Sequence, residues 1–239
     1  MARKIKTMSE PKPRKKLSPR NEYQRNVINT IYRNSVVFLL GPAGCGKTVL
    51  SVGCALQLLE SQEIERIVLT RPAVELGRGL GFLPGDINEK MAPYIQPIFD
   101  SFKVFLSNQE LATLINGKYI EICPLSVMRG RTFNSSLVIV DEAQSCTHAE
   151  LKMCLTRMGE QSKMVINGDP TQSDLPISQR GALQDYSRWL DSVDGIESVY
   201  SNNEDIVRSS LIGKILEKID KFEGISNTIP QYGKNISEK

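Results

Sequence analysis

Val36-Val37-Phe38-Leu39-Leu40-Gly41-Pro42-Ala43-Gly44-Cys45-Gly46-Lys47-Thr48 is the stretch that decides the fold. Five apolar, β-prone residues run into an octapeptide that fits the phosphate-loop pattern G-x-x-x-x-G-K-[ST] in full. A helix-compatible segment, Val49 to Glu60, follows, so the context is the strand–loop–helix that this pattern requires. The glycines allow the backbone to curl until several N–H groups face one point and attract an anion. A helix starting there adds the positive end of its dipole. Gly41, Pro42, Ala43, Gly44, Cys45, Gly46, Lys47 and Thr48 are therefore the candidate nucleotide contacts. Lys47 is expected to reach the β- and γ-phosphates, and the Thr48 hydroxyl to ligate Mg²⁺. The alternative, a chance Gly-rich turn, does not explain the strand before it and the helix after it.

Outward from this unit the chain alternates strand and helix. Apolar or β-branched runs recur at Arg66–Thr70, Tyr119–Cys123, Leu137–Val140, Lys163–Asn167 and Ile196–Tyr200. Such short runs suit strands buried on both faces. Helical patterns are expected at Val49–Glu60, Glu150–Met158, Ala182–Leu190 and Glu204–Lys221, the last with Ile206, Leu211, Ile215 and Ile219 at helical spacing. Alternating βα units predict an α/β domain, a mostly parallel sheet with helices on both faces. Ligands then bind beyond the carboxyl ends of the strands.

Two of those strand ends carry chemistry. Leu137-Val138-Ile139-Val140 runs into Asp141-Glu142-Ala143-Gln144. Asp141 is the candidate Mg²⁺ ligand, and Glu142 the candidate general base or water positioner. Met164-Val165-Ile166-Asn167 ends in Gly168-Asp169-Pro170-Thr171-Gln172. There Gln172 is a candidate contact for the γ-phosphate or the attacking water, against the plainer reading of an ordinary Gly-Asp-Pro turn.

Composition sets limits around this centre. The chain has 239 residues, 40% of them hydrophobic, enough for one large core or one core with tails. Apolar runs fall short of the ~20 residues of a membrane span, and the polar N-terminus has no apolar signal-peptide core. Five cysteines without a C-x-x-C pair are read as reduced thiols in a cytosol-like compartment, not as disulfides or a zinc site. Cys45 is either a small loop filler or an oxidisable thiol. His148, the one histidine, cannot build a metal site alone and suits a surface or helix-start position. Arg3, Lys4, Lys6, Lys12, Arg14, Lys15, Lys16 and Arg20 against Glu10 give residues 1–20 a charge of +7, so the rest of the chain carries −4 of the net +3. Pro11, Pro13 and Pro19 discourage regular structure there. This basic arm is read either as a nucleic-acid contact or as a solvated tail. Three regions follow: the arm at 1–20, a domain at 21–222 and a polar tail at 223–239.

The motifs together carry a resemblance. Phosphate loop, Asp-Glu-Ala-Gln and Gly-Asp-Pro-Thr-Gln in this order resemble the ATPase motifs of superfamily 1 helicases. Thr70-Arg71-Pro72, Gly81-Phe82-Leu83-Pro84-Gly85-Asp86, Met128-Arg129-Gly130-Arg131-Thr132-Phe133 and Asp205-Ile206-Val207-Arg208 narrow it. With these segments the chain resembles the PhoH family over roughly residues 18–221, and its small size resembles phage-encoded members. Ser209 stands where that family usually has a histidine, so any role of that histidine is absent. The resemblance implies a single RecA-like P-loop NTPase domain that binds and hydrolyses ATP with Mg²⁺, in the cytoplasm (of the host, if phage-encoded). It further implies Gln24 as an adenine contact, where the residue alone would read as a surface helix position. A side-chain amide matches the adjacent donor and acceptor of adenine, and the chain has no Asn-Lys-x-Asp guanine-reading segment. Arg208 is a candidate arginine finger. Arg71, Arg129 and Arg131 are candidates for nucleic-acid or nucleotide phosphates, with surface ion pairs as the alternative.

One domain has room for one lobe of a two-lobed motor. The expectation is a head-to-tail ring, by resemblance a hexamer, acting on single-stranded RNA or DNA and without a membrane partner; the alternative is a protein that hydrolyses ATP without translocating. A P-loop phosphotransferase and an ATP-binding assembly module with incidental turnover are the competing readings. A nuclease is disfavoured, because no second acidic cluster stands outside the ATPase motifs.

Overall fold

The computed structural model describes residues 16–72, 96–202, 205 and 218. Among the described residues six strands form one sheet in the order β3-β2-β4-β5-β1-β6: β1 Val36–Leu40, β2 Arg66–Thr70, β3 Ile120–Ile122, β4 Ser136–Val140, β5 Lys163–Gly168 and β6 Ile196–Tyr200. Every pairing is parallel, so the sheet goes beyond the mostly parallel expectation. Helices among the described residues include α1 Glu22–Arg33, α2 Lys47–Glu60, α3 Asn108–Asn116, α4 Leu125–Met128, α5 His148–Leu155 and α6 Ala182–Trp189, and residues 96–102 are helical as well.

The core follows from the pleat. Successive residues of a strand point to opposite faces. On β1, Val37 and Leu39 join one apolar cluster, with α1 and α2 residues such as Val27, Ile31, Val52 and Leu58. Val36, Phe38 and Leu40 join a second, with Leu151, Cys154 and Leu183 of α5 and α6. Every residue of β1 and β4 is buried, which is why those runs read as continuously apolar. Each fully buried Leu, Ile, Val or Phe contributes about 1.5–3 kcal/mol of transfer free energy. Register then aligns the strand ends: Leu40 pairs with Gly168 and with Tyr200, Thr70 with Val140, and Val140 with Ile166. The phosphate loop, Arg71, Asp141, Asp169 and Ser201 all leave the sheet along this one edge.

Strand positions from sequence agree with the structure to within a residue at either end. Helices α1, α3 and α4 were not among the expected ones. α3 has a capping box from Ser107 and Glu110, yet buries Leu111 alone, so its apolar period is faint. The basic arm lies outside the described residues up to residue 15. Beyond that, Leu17 packs on the first cluster and the Arg20 N–H donates to Gln24 Oε1 at 2.9 Å. The Gly81–Asp86 segment, Arg208, Ser209, most of the Glu204–Lys221 helix and the polar tail also lie outside the described residues.

Candidate functional site

Three glycines shape the phosphate loop, at φ values of 143° (Gly41), 99° (Gly44) and 94° (Gly46). These are conformations that side chains with a Cβ adopt only at a cost. Gly41 is also pressed against the end of β6: a Cβ there would collide with Ser201 Oγ and lie 2.7 Å from the Ser201 carbonyl oxygen. Gly46 is the N-cap of α2, so the unpaired N–H groups of a 14-residue helix open into the loop. The Lys47 ammonium donates to the carbonyls of Gly41 at 2.7 Å and Pro42 at 2.9 Å. Cys45 is fully buried; its thiol donates to the Pro42 carbonyl at 3.2 Å and accepts from Ser201 Oγ at 3.1 Å. That is the packing of a loop filler.

Gln24 is no surface residue. It is 6% exposed, and its Nε2 donates to the Cys45 carbonyl at 3.3 Å while its Oε1 accepts from Arg20. One amide hydrogen and one oxygen lone pair are left by these bonds, the pair that adenine recognition requires. α1 brings it there because Asn21 caps that helix, accepting from the Gln24 N–H.

Asp141, at the tip of β4, is 4% exposed. Its Oδ1 accepts from Thr48 Oγ1 at 2.9 Å and from Asn167 Nδ2 at 3.3 Å. Ser51 of α2 holds Asn167 in turn, donating to Oδ1 at 3.0 Å. Burial raises the Asp141 pKa above its ordinary value, the neighbouring Glu142 charge adds to this, and the Thr48 and Asn167 bonds oppose it. A carboxylate so placed favours a cation as its partner. Two further side-chain oxygens at the ends of flanking strands, Thr70 Oγ1 on β2 and Asp169 Oδ2 after β5, are buried with no hydrogen-bond partner among the described residues. Hard oxygen donors, a buried carboxylate and too few acidic groups for a protein cage (no cluster of three His, Cys, Asp or Glu occurs among the described residues) fit Mg²⁺. That ion is bound through one or two protein oxygens, waters and substrate phosphates.

Glu142 follows in left-handed backbone, φ 54° and ψ 40°. Such a conformation costs about 1–3 kcal/mol for a non-glycine residue and recurs at active sites. Its Oε1 lies 3.6 Å from the Arg71 guanidinium. Its Oε2 accepts from Gln144 Nε2 at 2.5 Å. Arg71 is thus brought beside the candidate base as its ion-pair partner. The Asp169 turn is ordered by its own side chain, whose Oδ1 accepts from the Thr171 N–H and hydroxyl at 3.0 and 2.7 Å. Gln172 is exposed on that turn, with its N–H donating to the Asp169 carbonyl at 3.0 Å.

The remaining candidates separate. Arg131 pairs with Glu121 at 2.5 Å and lies 4.8 Å over the Phe133 ring, while Arg66 approaches the other Glu121 oxygen at 3.6 Å. This is the ion-pair reading, at the β3 edge of the sheet. Arg129 is exposed. His148 begins α5 behind a Thr147–Glu150 capping box, 2.8 Å from Asp185, with its ring tilted against those of Tyr186 and Trp189 at 6.0 and 5.9 Å between centroids. Asn167, Ser51, Ser201 and Gln144 were missed as site residues. Asn167 and Gln144 lie inside conspicuous motifs, but their partners are on other strands or helices, which no local pattern reveals.

No helix among the described residues is long and apolar enough to cross a membrane. Comparison with known proteins agrees with the geometry. The chain is 44% identical over 208 residues to a PhoH-like protein of Synechocystis and 46% identical over 198 residues to one of Bacillus subtilis. These matches take in 87% and 83% of this chain but 63% and 62% of those relatives, so it spans less than two thirds of their length. Among solved structures, the large terminase of a thermophilic bacteriophage superposes with a TM-score of 0.53 at 10% identity, over 85% of this chain and 50% of that one, a likeness of fold. The sequence profile described as "PhoH-like protein" matches residues 16–220. With the phosphate loop and acidic strand end meeting on a RecA-like parallel sheet, this chain belongs to the PhoH family.

Proposed function

We propose that the chain is a Mg²⁺-dependent ATPase whose turnover is coupled to single-stranded RNA or DNA. The observation that carries this reading is the meeting of Thr48 Oγ1 and Asp141 Oδ1 at 2.9 Å, at the mouth of the phosphate loop and one residue before Glu142. Loop N–H groups and the α2 terminus bind the phosphates. Lys47 exchanges the Gly41 and Pro42 carbonyls for β- and γ-phosphate oxygens. Thr48 and Asp141 hold Mg²⁺, which when bound neutralises developing charge on the phosphates. Glu142 accepts the proton of the attacking water, and Gln172 orients that water or senses the γ-phosphate. Gln24 reads adenine with the half of its amide that Cys45 and Arg20 leave. Arg208 stabilises the transferring phosphoryl group, supplied by a neighbouring subunit in a ring of six. The basic arm, with Arg129, tracks the nucleic-acid backbone through phosphate contacts.

Phosphate release from ATP, measured with and without single-stranded RNA and DNA, tests the reading. Wild-type turnover is expected to rise with nucleic acid, and Lys47→Ala to abolish it in a protein that still folds. Near-normal turnover in folded Lys47→Ala would refute the ATPase assignment. Transfer of the γ-phosphate to an acceptor instead of water would favour a phosphotransferase.

A further inference from the structure

Buried amides are rare unless every polar atom has a use. Gln144, in the short 3-10 turn Ala143–Ser145, is 7% exposed. Its Nε2 donates to Glu142 Oε2 at 2.5 Å. Its Oε1 accepts from the Asp169 N–H at 3.1 Å. Its own carbonyl accepts from Ser173 Oγ at 2.8 Å. Both ends of the side chain and its backbone are therefore committed, one end to the candidate base and the rest to the turn after β5.

Close approach makes this bridge possible. A Cβ on Gly168 would lie 2.8 Å from Gln144 Oε1 and 3.1 Å from Gln144 N, and would collide with Leu183 Cδ2. Glycine at the end of β5 is what lets that turn come within hydrogen-bond reach of Gln144. On the far side Asp169 Oδ1 holds Thr171, and the Asp169 carbonyl holds the Gln172 N–H. A continuous run of bonds thus joins Glu142, Gln144, Asp169 and the backbone of Gln172. An amide suits the middle of it: it donates at one end, accepts at the other, and stays neutral at all working pH values.

We propose that Gln144 is a positioning residue for hydrolysis, tying the place of the Glu142 carboxylate to the conformation of the Asp169–Ser173 turn. Gln144 touches no reacting atom. It fixes one oxygen of Glu142 while Arg71 faces the other, and a shift of the turn is passed to the base through the amide. The inference rests on hydrolysis with Glu142 as its base.

The test is a double-mutant cycle on the full chain, reading kcat and ATP affinity separately. Gln144→Met keeps the volume and loses both side-chain bonds. Turnover is expected to fall roughly 10- to 100-fold, the cost of a misplaced catalytic group, with ATP affinity within about twofold of wild type, because the amide is bonded to Glu142 and not to the phosphate loop. In a Glu142→Gln background the same substitution is expected to cost no further turnover, since there is no base left to place. Gln144→Glu, which keeps shape and the acceptor for Asp169 but sets a second carboxylate against Glu142, serves if the Met variant does not fold, with the loss again expected to vanish in the Glu142→Gln background, where that repulsion is absent. Equal losses in both backgrounds, or a loss of affinity matching the loss of rate, would overturn the inference and leave the ATPase reading standing. A wild type without turnover, or a fully active Glu142→Gln, would overturn that reading and the inference with it.

Discussion

Replacing Asp141 by Asn should make the protein more stable and nearly inactive. The carboxylate is 4% exposed, and both its inbound bonds, from Thr48 and Asn167, end on Oδ1. The carbonyl oxygen of Asn can accept both. What the substitution removes is a buried negative charge, whose desolvation is the largest cause of the raised pKa, and its repulsion with Glu142, the next largest; a smaller attraction to Arg71 is also lost. The new amide hydrogens need acceptors, which reduces the benefit. Removing strain of this kind from a functional site commonly yields about 1–2 kcal/mol, roughly 2–8 °C in Tm for a domain of this size. The sign with pH follows from linkage. Because the folded pKa lies above the unfolded 3.8, the contribution of Asp141 is most favourable below the unfolded value. It is lost as pH rises through the folded value. The stability gap between Asp141→Asn and wild type should thus be widest at neutral pH and close toward pH 4. Thermal unfolding followed by circular dichroism from pH 4 to 8, without Mg²⁺ or nucleotide, measures it. Turnover with both present should fall by at least about 10²-fold, since the ion supplies several kcal/mol of charge stabilisation. A variant less stable than wild type at pH 7, or a gap that does not shrink with acid, would refute the claim that Asp141 is a buried charge that costs stability until a cation binds.

Other outcomes follow from the same geometry. Glu142→Gln should retain ATP affinity while turnover drops by about 10²-fold, the usual share of a general base; nucleotide titration beside phosphate release separates the two, and a parallel loss of affinity would make Glu142 a binding residue. Gly41→Ala drives a Cβ into Ser201 Oγ and to 2.7 Å from its carbonyl oxygen at a φ of 143°, so a loss of about 3 kcal/mol or more is expected, read as a lowered midpoint in urea. Deleting residues 1–15, which spares Leu17 and Arg20, should weaken binding to single-stranded RNA or DNA and flatten its salt dependence with little change in basal turnover; an unchanged salt slope would return the arm to a solvated tail.

Sequence alone determined the parts whose physics is local. A strand buried on both faces must be apolar throughout, so β1 and β4 were legible. A loop that turns backbone N–H groups toward an anion needs glycines at fixed spacing, so Gly41–Thr48 was legible too, and with it the parallel α/β class. Tertiary structure decided everything that depends on two distant segments meeting. Gln24 reads as a surface helix residue until α1 lays it against Cys45. Arg71 and Arg131 look equivalent as basic residues near strand ends, and only the sheet order separates them, one beside Glu142 and the other paired with Glu121 at the edge. Gln144 and Gly168 belong to motifs 24 residues apart. Their contact exists because β4 and β5 are neighbours in register, and hydrogen bonds between strand ends leave no period in the sequence to read.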